Sequence, residues 1–272
     1  MTVRREQYAT YLLLGVFSLV ALVPVVGIVL TALQKQGGLA SFGSFDGLHF
    51  GNFASAWDEG HFGSYLRSSV IVAVSVVVLS TLFSVMAGYA FGMMRFRGSS
   101  ALFYLLLLGL MVPLEATIVP LYYDLRDLSL TDTYWALIFP QVGLSVAFGT
   151  FWMRAFFRSV PRSLVEAARL DGASSWSALW RVVLPLGRPA VLTMMVLVFM
   201  WTWNEFLLAL VMVSEENLRT APLGLAFFQG RNTTDFALLA AGAVIVATPV
   251  VLVYIFLQRH FIRGMLTGAV KG

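Results

Sequence analysis

Six long apolar segments constrain the fold of this chain more than any other feature of its sequence. A helix needs roughly 20 mainly apolar residues to cross the hydrocarbon core of a bilayer. Six segments reach this length, at about residues 8–33, 65–94, 101–123, 134–156, 189–213 and 236–258. Only 12% of the residues are charged, whereas water-soluble domains have about 25%. We therefore predict an integral membrane protein.

The pattern inside these segments indicates helices. Strands of a membrane barrel alternate apolar and polar residues, but the run VIVAVSVVVL at 70–79 does not alternate. The first segment follows the polar start MTVRREQ, as a secretion signal would, but its apolar run is about 26 residues long. The core of a secretion signal has only roughly 7–15 residues. We predict an all-α, polytopic membrane protein with six transmembrane helices.

The basic residues are distributed unequally between the two predicted sides of the membrane. If the N-terminus is cytoplasmic, 13 of the 18 Lys and Arg residues lie in cytoplasmic segments and 5 in outer ones. Such an excess is typical of cytoplasmic loops. We predict that both the N- and C-termini are cytoplasmic. The net charge of +4 therefore requires no nucleic-acid partner.

We predict three parts along the chain. An N-terminal transmembrane helix with an outer loop occupies 1–64, a core of five transmembrane helices 65–258, and a cytoplasmic tail 259–272. Within the core, Gly88 and Gly92 form a GxxxG pattern that permits close helix approach. We expect it to serve packing within the chain rather than a dimer face.

A polar cytoplasmic segment, residues 157–188, lies between the fourth and fifth apolar segments. Ser163 is followed three residues later by Glu166, which is a capping-box pattern. The pattern predicts a helix over Leu164–Leu170 that stops at Asp171-Gly172, where glycine can adopt the left-handed conformation.

A second short helix is predicted directly after this turn. Ser174 or Ser175 can cap it, and Pro185 is expected to end it after Trp176–Leu184. Trp176 and Trp180, four residues apart, would share one face. Such a helix–turn–helix could dock in a groove of another protein, or lie in the headgroup layer with its Trp residues as anchors. These physical arguments leave both open.

The segment resembles the signature of permeases of ABC importers. That signature is EAA, three residues, Gly, nine residues, Ile, one residue and Leu-Pro. Here Glu166-Ala167-Ala168 is followed at the same spacing by Gly172, Val182 and Leu184-Pro185, and only Val182 departs from the isoleucine. The match also lies between the fourth and fifth of the six apolar segments, which is its position in that family.

The resemblance extends over roughly residues 50–272 and indicates the sugar-importer branch, the relatives of the smaller maltose permease subunit. It rests on the stretch 111–140, on WNEF at 203–206 and on the ending at 258–272. One departure is Arg67-Ser68, where Asn-Ser is expected.

The resemblance implies a half pathway for a sugar or oligosaccharide in a bacterial or archaeal cytoplasmic membrane. Its expected partners are a second permease in a heterodimer, two cytoplasmic ATPase subunits that bind ATP and Mg, an extracellular solute-binding protein and the lipid bilayer. The chain itself is expected to hold no cofactor. The resemblance makes the outer segment 214–235 a candidate contact for the binding protein, and the alternative is a plain solvated connector. Coupling to the ATPase is implied for Glu166, Ala167, Ala168, Arg169, Gly172, Leu184 and Pro185.

The sequence lacks the residues of several enzyme classes. A phosphate-binding GxxxxGK[ST] loop is excluded, because Lys35 precedes Gln and Lys271 precedes Gly. The histidines His49, His61 and His260 lie outside the predicted spans, so an intramembrane hydrolase has no base. We predict a transport subunit without enzymatic activity. The alternative is an ion- or proton-coupled secondary transporter, which often shows inverted repeats, and we find no repeat.

Two acidic residues lie well inside apolar segments. A charge at a helix centre costs roughly 3 kcal/mol on insertion scales, so such residues usually face an interior or a pathway. Glu205 follows Trp203 and Asn204, and an indole beside an amide and a carboxylate could bind a sugar. Equally, these polar groups could bond to a neighbouring helix or subunit. Glu115 lies between Pro113 and Pro120, which are expected to kink the helix.

Overall fold

The computed structural model describes residues 2–36, 47–228 and 235–269, and this part of the chain contains helices and no strand. The predicted all-α class is confirmed. The helices are α1 (Thr2–Ala32), α2 (Gly51–Glu59), α3 (Phe62–Met93), α4 (Ser99–Met111), α5 (Leu114–Asp127), α6 (Tyr134–Ser159), α7 (Arg162–Leu170), α8 (Ser175–Ser177), α9 (Leu184–Leu186), α10 (Arg188–Trp203), α11 (Leu207–Met212), α12 (Ala221–Gly224) and α13 (Phe236–Ala269). A π-helical turn at Ala178–Val183 joins α8 to α9, and 3₁₀ turns occur at Glu216–Leu218 and Leu225–Phe228.

Four helices are long and apolar enough to cross a membrane, and they correspond to the first, second, fourth and sixth predicted segments. Their spanning parts are Thr10–Ala32, Phe62–Met93, Tyr134–Ser159 and Phe236–Gln258. Two bent helix pairs are also long and apolar enough if each pair is counted as one span. The described residues therefore contain four to six segments that could cross a membrane. The predicted six corresponds to counting each bent pair as one span.

The third predicted segment is a bent pair rather than one straight helix. Helices α4 and α5 meet at an angle of 98°. Proline disfavours helical geometry in the residue before it, and Val112, before Pro113, is extended at φ −81° and ψ 117°. The predicted kink therefore lies at Pro113, whereas Pro120 lies inside α5.

The fifth predicted segment is also interrupted. Helix α10 ends at Trp203, and α11 begins only at Leu207. At its other end, α10 forms an 82° bend with the helical segment Ser175–Leu186. Gly187 lies at this bend, where a Cβ atom would be 2.6 Å from Cε1 of Phe156 on α6. Any larger residue here would require the Phe156 ring to shift.

Backbone contacts divide the chain into two units, Met1–Gly63 with Leu223–Pro249, and Ser64–Pro222 with Val250–Gly272. The three predicted parts remain a prediction. In the first unit, Nδ2 of the buried Asn52 donates to the carbonyl oxygens of Ala32 (2.8 Å) and Gln34 (2.7 Å). These bonds satisfy carbonyl groups at the end of α1 that have no helical partner. Helix α2 is thereby fixed to the end of α1.

In the second unit, α3 and α6 approach closely at Gly88 and Gly92. A Cβ atom on Gly88 would lie 2.6 Å from Cβ of Met153, and one on Gly92 would lie 2.9 Å from Cβ of Phe157. Real Cβ atoms essentially never come closer than 3.0 Å to another heavy atom. The GxxxG pattern therefore serves packing within the chain, as predicted.

Candidate functional site

The polar segment 157–188 begins with α7, whose end is fixed by a glycine turn. Gly172 adopts a φ of +85°. Its N–H donates to the carbonyl oxygen of Arg169 (3.0 Å), and the N–H of Ala173 donates to that of Ala168 (2.9 Å). This pair of bonds is the Schellman motif, which satisfies the last carbonyl groups of a helix. The predicted turn at Asp171-Gly172 is confirmed.

The start of α7 differs from the predicted capping box. The helix begins at Arg162, and Pro161 occupies the N-cap position with no side-chain cap hydrogen bond. Ser163 is therefore inside the first turn and cannot cap it. Pro161 has an extended ψ of 130° and the helix starts directly after it, so the helix begins earlier than the serine predicted.

The second short helix is capped as predicted but ends later. Oγ of Ser174 accepts a hydrogen bond from the backbone N–H of Ser177 (3.2 Å). Pro185 does not end the helix, which continues to Leu186. The π-helical turn directly precedes this proline, and its wider path makes room for the ring, which would clash with the preceding turn of a regular helix. The rings of Trp176 and Trp180 lie 5.4 Å apart, so they share one face.

The two short helices form a hairpin with one packed and one open face. Helix α7 packs against the π-helical turn, with Val165 and Ala168 buried. On the opposite side, Glu166, Ala167 and Arg169 are exposed. The guanidinium of Arg169 donates to Oγ of Ser175 across the turn (3.3 Å). A Cβ atom on Gly172 would meet no atom within 4 Å.

Sequence reasoning missed Leu170, which is 89% exposed at the tip of this hairpin. Large apolar side chains exposed to this degree can mark an interaction site when they form part of a continuous surface. Its position could have been found, because Leu170 follows Glu166 by four residues and so lies on the same face of α7. We call the exposed face made by Glu166, Ala167, Arg169 and Leu170 the α7 face.

Leu184 and Pro185 lie away from the α7 face. Leu184 is half-buried and Pro185 is exposed. Both line an open cavity of about 310 Å³ at the bend between the polar segment and α10. The structure therefore divides the predicted coupling residues between α7 with its glycine turn and this bend.

The interruption between α10 and α11 holds three more residues predicted for a site. Nδ2 of Asn204 donates to the carbonyl oxygen of Met200 (2.7 Å) at the end of α10. Oε1 of Glu205 accepts from the backbone N–H of Leu208 (2.9 Å) at the start of α11. The side chain of Glu205 thus satisfies a backbone N–H that the interruption leaves open, whereas the carbonyl oxygen of Met200 also accepts the backbone N–H of Asn204 (3.3 Å). The ring of Trp203 is 2% exposed and lies 5.5 Å from that of Phe199, so it offers no open face.

Glu115 lies on a different element. It is exposed in the first turn of α5, where the positive end of the helix dipole favours an acidic side chain. Helix α5 packs against α11.

The predicted outer segment 214–235 is held at its start. The carboxylate of Asp132 accepts from the N–H groups of Ser214 (2.5 Å) and Glu215 (3.0 Å). Oγ of Ser68 on α3 donates to the carbonyl oxygen of Asn217 (2.9 Å). This part is therefore fixed to the bundle, whereas residues 229–234 lie outside the described residues.

The chain is similar to known membrane transport proteins. Residues 80–267 match the model of a family described as the binding-protein-dependent transport system inner membrane component. Among relatives, the probable ABC transporter permease protein YurM of Bacillus subtilis (strain 168) is 38% identical over 224 residues, covering 82% of this chain and 74% of that protein. The maltodextrin transport system permease protein MalD of Streptococcus pneumoniae is 31% identical, covering 99% and 97%.

Two solved structures share the fold. One is a bacterial ABC transporter involved in the import of the acidic polysaccharide alginate, with a TM-score of 0.79, 25% identity and coverage of 95% of this chain and 97% of that chain. The other is a bacterial alginate ABC transporter in complex with an alginate pentasaccharide-bound periplasmic protein, with a TM-score of 0.66, 15% identity and coverage of 93% and 94%. The family match includes both the polar segment and the interrupted helix. The chain therefore belongs to the family of binding-protein-dependent transport system inner membrane components.

Proposed function

We propose that this chain is a permease subunit of an ATP-driven ABC importer for a sugar or oligosaccharide, and that it forms half of the translocation pathway. The observation that carries this proposal is the hairpin of the polar segment, which combines the EAA signature with an exposed α7 face. The maltodextrin permease among its relatives supports the substrate class. Family membership favours this function over the ion- or proton-coupled carrier.

The hairpin is proposed to couple the membrane helices to a cytoplasmic ATPase. Residues of the α7 face would contact that partner, and Ala168 and Gly172 would fix the shape of the hairpin. Leu184 and Pro185, at the bend leading into α10, would carry the movement into the membrane. ATP and Mg would be bound and used on two copies of the ATPase, and closure of that pair would reorient the membrane helices.

The remaining partners are proposed from the family and from the outer surface. A second permease would complete the pathway as a heterodimer, and an extracellular solute-binding protein would deliver the sugar. The fixed start of the outer segment, at Ser214 and Glu215, is a candidate contact for that protein, because its backbone is already ordered. We place the protein in the cytoplasmic membrane of a bacterium or archaeon, with both termini inside, as the distribution of basic residues predicts.

The pathway is proposed to pass the interruption between α10 and α11. Asn204 and Glu205 would line it, because a polar amide and a carboxylate inside an apolar segment are costly elsewhere. Trp203 would support them from behind, since its ring is buried. Glu115 is a second acidic candidate for the lining, from α5.

Co-purification tests the coupling role. The chain, with its candidate ATPase, is expressed as wild type, Glu166→Ala and Gly172→Arg. Gly98→Arg is the matched control, because Gly98 also has a positive φ (+81°) and an open Cβ position but lies at the start of α4. We expect the ATPase to be held by wild type and Gly98→Arg and lost with Gly172→Arg. Equal binding by all variants, or by none, would contradict the coupling role.

A further inference from the structure

The indole of Trp201 is a large aromatic surface that remains exposed on the interrupted helix. This side chain is 51% exposed, although it lies within α10 only two residues before the buried Trp203. Its ring is held against Phe148 of α6, with ring centres 4.7 Å apart and planes at 74°. The next ring along, Trp152, is fixed by a bond from its Nε1 to the carbonyl oxygen of Ala190 (3.0 Å). Trp201 is therefore oriented by its neighbours and still accessible.

Two polar residues follow this open ring closely in the sequence. Asn204 follows Trp201 by three residues and caps the end of α10, a spacing that puts side chains on one side of a helix. Glu205 comes next, in the interruption beyond the helix. The side chain of Asn204 is exposed, and that of Glu205 is partly exposed. The hydrogen bonds to Met200 and Leu208 use one amide hydrogen of Asn204 and one carboxylate oxygen of Glu205. An amide has further donor and acceptor capacity, and a carboxylate has a second oxygen.

The depth of this site argues for water rather than lipid next to it. Helix α10 has 16 residues, and at 1.5 Å per residue its end lies about 24 Å from its start, within a hydrocarbon core about 30 Å thick. Irregular backbone at such depth is tolerated where it is buried in protein or lines a water-filled cavity. Because Asn204 is exposed here, acyl chains would offer no partner to the amide atoms that do not bond to Met200.

A sugar ring matches this combination of groups. It offers a flat array of C–H groups on one face and hydroxyl groups around its edge. The open indole can cover the C–H face, and the amide and carboxylate can bond to the hydroxyl groups. We propose that Trp201 is a stacking residue for one sugar ring of the transported substrate, with Asn204 and Glu205 as its hydrogen-bond partners. This inference rests on the proposed function.

Two substitutions separate stacking from packing. Trp201→Phe keeps an aromatic face, whereas Trp201→Leu keeps only apolar bulk. Trp135→Leu is the matched control, because Trp135 on α6 is also half-exposed (48%) and stacked on another ring, that of Phe139. Each variant is reconstituted in liposomes with the second permease, the ATPase and the binding protein. Uptake of labelled maltotriose, arabinotriose and diacetylchitobiose is measured together with ATP hydrolysis stimulated by the binding protein.

We expect Trp201→Leu to lower sugar uptake roughly tenfold, the upper range for loss of one aromatic contact, while ATP hydrolysis stays within about twofold of wild type. Trp201→Phe should retain most of the uptake, and Trp135→Leu should match wild type. Uptake by Trp201→Leu at the wild-type rate would overturn the inference. So would an equal fall of uptake and ATP hydrolysis in both Trp201 variants. A wild-type complex that hydrolyses ATP but takes up none of the three sugars would instead refute the proposed substrate class, and the stacking role with it.

Discussion

The hairpin of the polar segment and the interruption between α10 and α11 differ in how their backbone hydrogen-bonding groups are satisfied. Both must satisfy backbone groups where a helix stops. In the hairpin, the end of α7 is closed by backbone bonds to Gly172 and Ala173, so the exposed side chains remain available. At the interruption, backbone N–H groups of Asn204 and Glu205 also close the end of α10, but the N–H of Leu208 at the start of α11 bonds to the side chain of Glu205. Substitutions in the hairpin should therefore change binding, and substitutions at the interruption should change folding as well.

The largest effect is expected from Leu170→Glu on the α7 face. A central apolar contact can account for about 2 kcal/mol or more of binding, so we expect the affinity for the ATPase to fall roughly 30-fold. Thermal stability should be unchanged, because this side chain is exposed. The affinity can be measured by titrating the detergent-purified chain with the ATPase.

Leu128→Glu is the control for this experiment, since Leu128 is also exposed (68%) but follows α5 on the predicted outer side. If both variants lost affinity equally, the α7 face would not be the specific contact.

An intermediate effect is expected from Glu205→Leu. It removes the acceptor of the Leu208 N–H, and an unsatisfied buried donor costs roughly 1–3 kcal/mol. We expect a lower midpoint of thermal unfolding for the purified chain, with ATPase binding retained. Glu205→Gln, which keeps an acceptor oxygen, should lie between Glu205→Leu and wild type. Loss of ATPase binding without loss of stability would contradict the distinction between the two regions.

The smallest effect is expected from Ser174→Ala in the hairpin. Loss of an N-cap side chain costs about 1 kcal/mol, so the unfolding midpoint should fall slightly. Ser175→Ala is the matched control, because Oγ of Ser175 receives only an exposed bond from Arg169. If Ser175→Ala lowered the unfolding midpoint more than Ser174→Ala, Ser174 would not be the residue that stabilises the start of this helix.

The features that sequence predicted well depend on nearby residues. The glycine turn, the Ser174 cap, the Trp176–Trp180 contact and the kink at Pro113 each involve residues at most a few positions apart. Their physical causes are backbone conformation and local hydrogen bonds. The pattern of apolar segments likewise predicted the four long helices, because span length is set by the bilayer.

The features that sequence did not predict depend on competition or on tertiary packing. Pro161 displaced Ser163 as the N-cap, and the π-helical turn let the helix continue past Pro185. Which indole is open, Trp201 or Trp203, is decided by the neighbouring helices. In the sequence WTWNEF, Trp203 is the tryptophan next to the polar residues, but Trp201 is the one whose ring is exposed.

The close approach of α3 and α6 has a mechanical consequence. Because Gly88 and Gly92 have no side chains, the backbone of α3 packs directly against Met153 and Phe157 of α6. The hairpin begins just beyond the end of α6, separated from it by Val160 and Pro161. A displacement of α7 is therefore expected to move α6, which lies only two residues away along the chain. A movement of α6 toward α3 is expected to displace α3 as well. We therefore expect α3 and α6 to move together as one rigid pair.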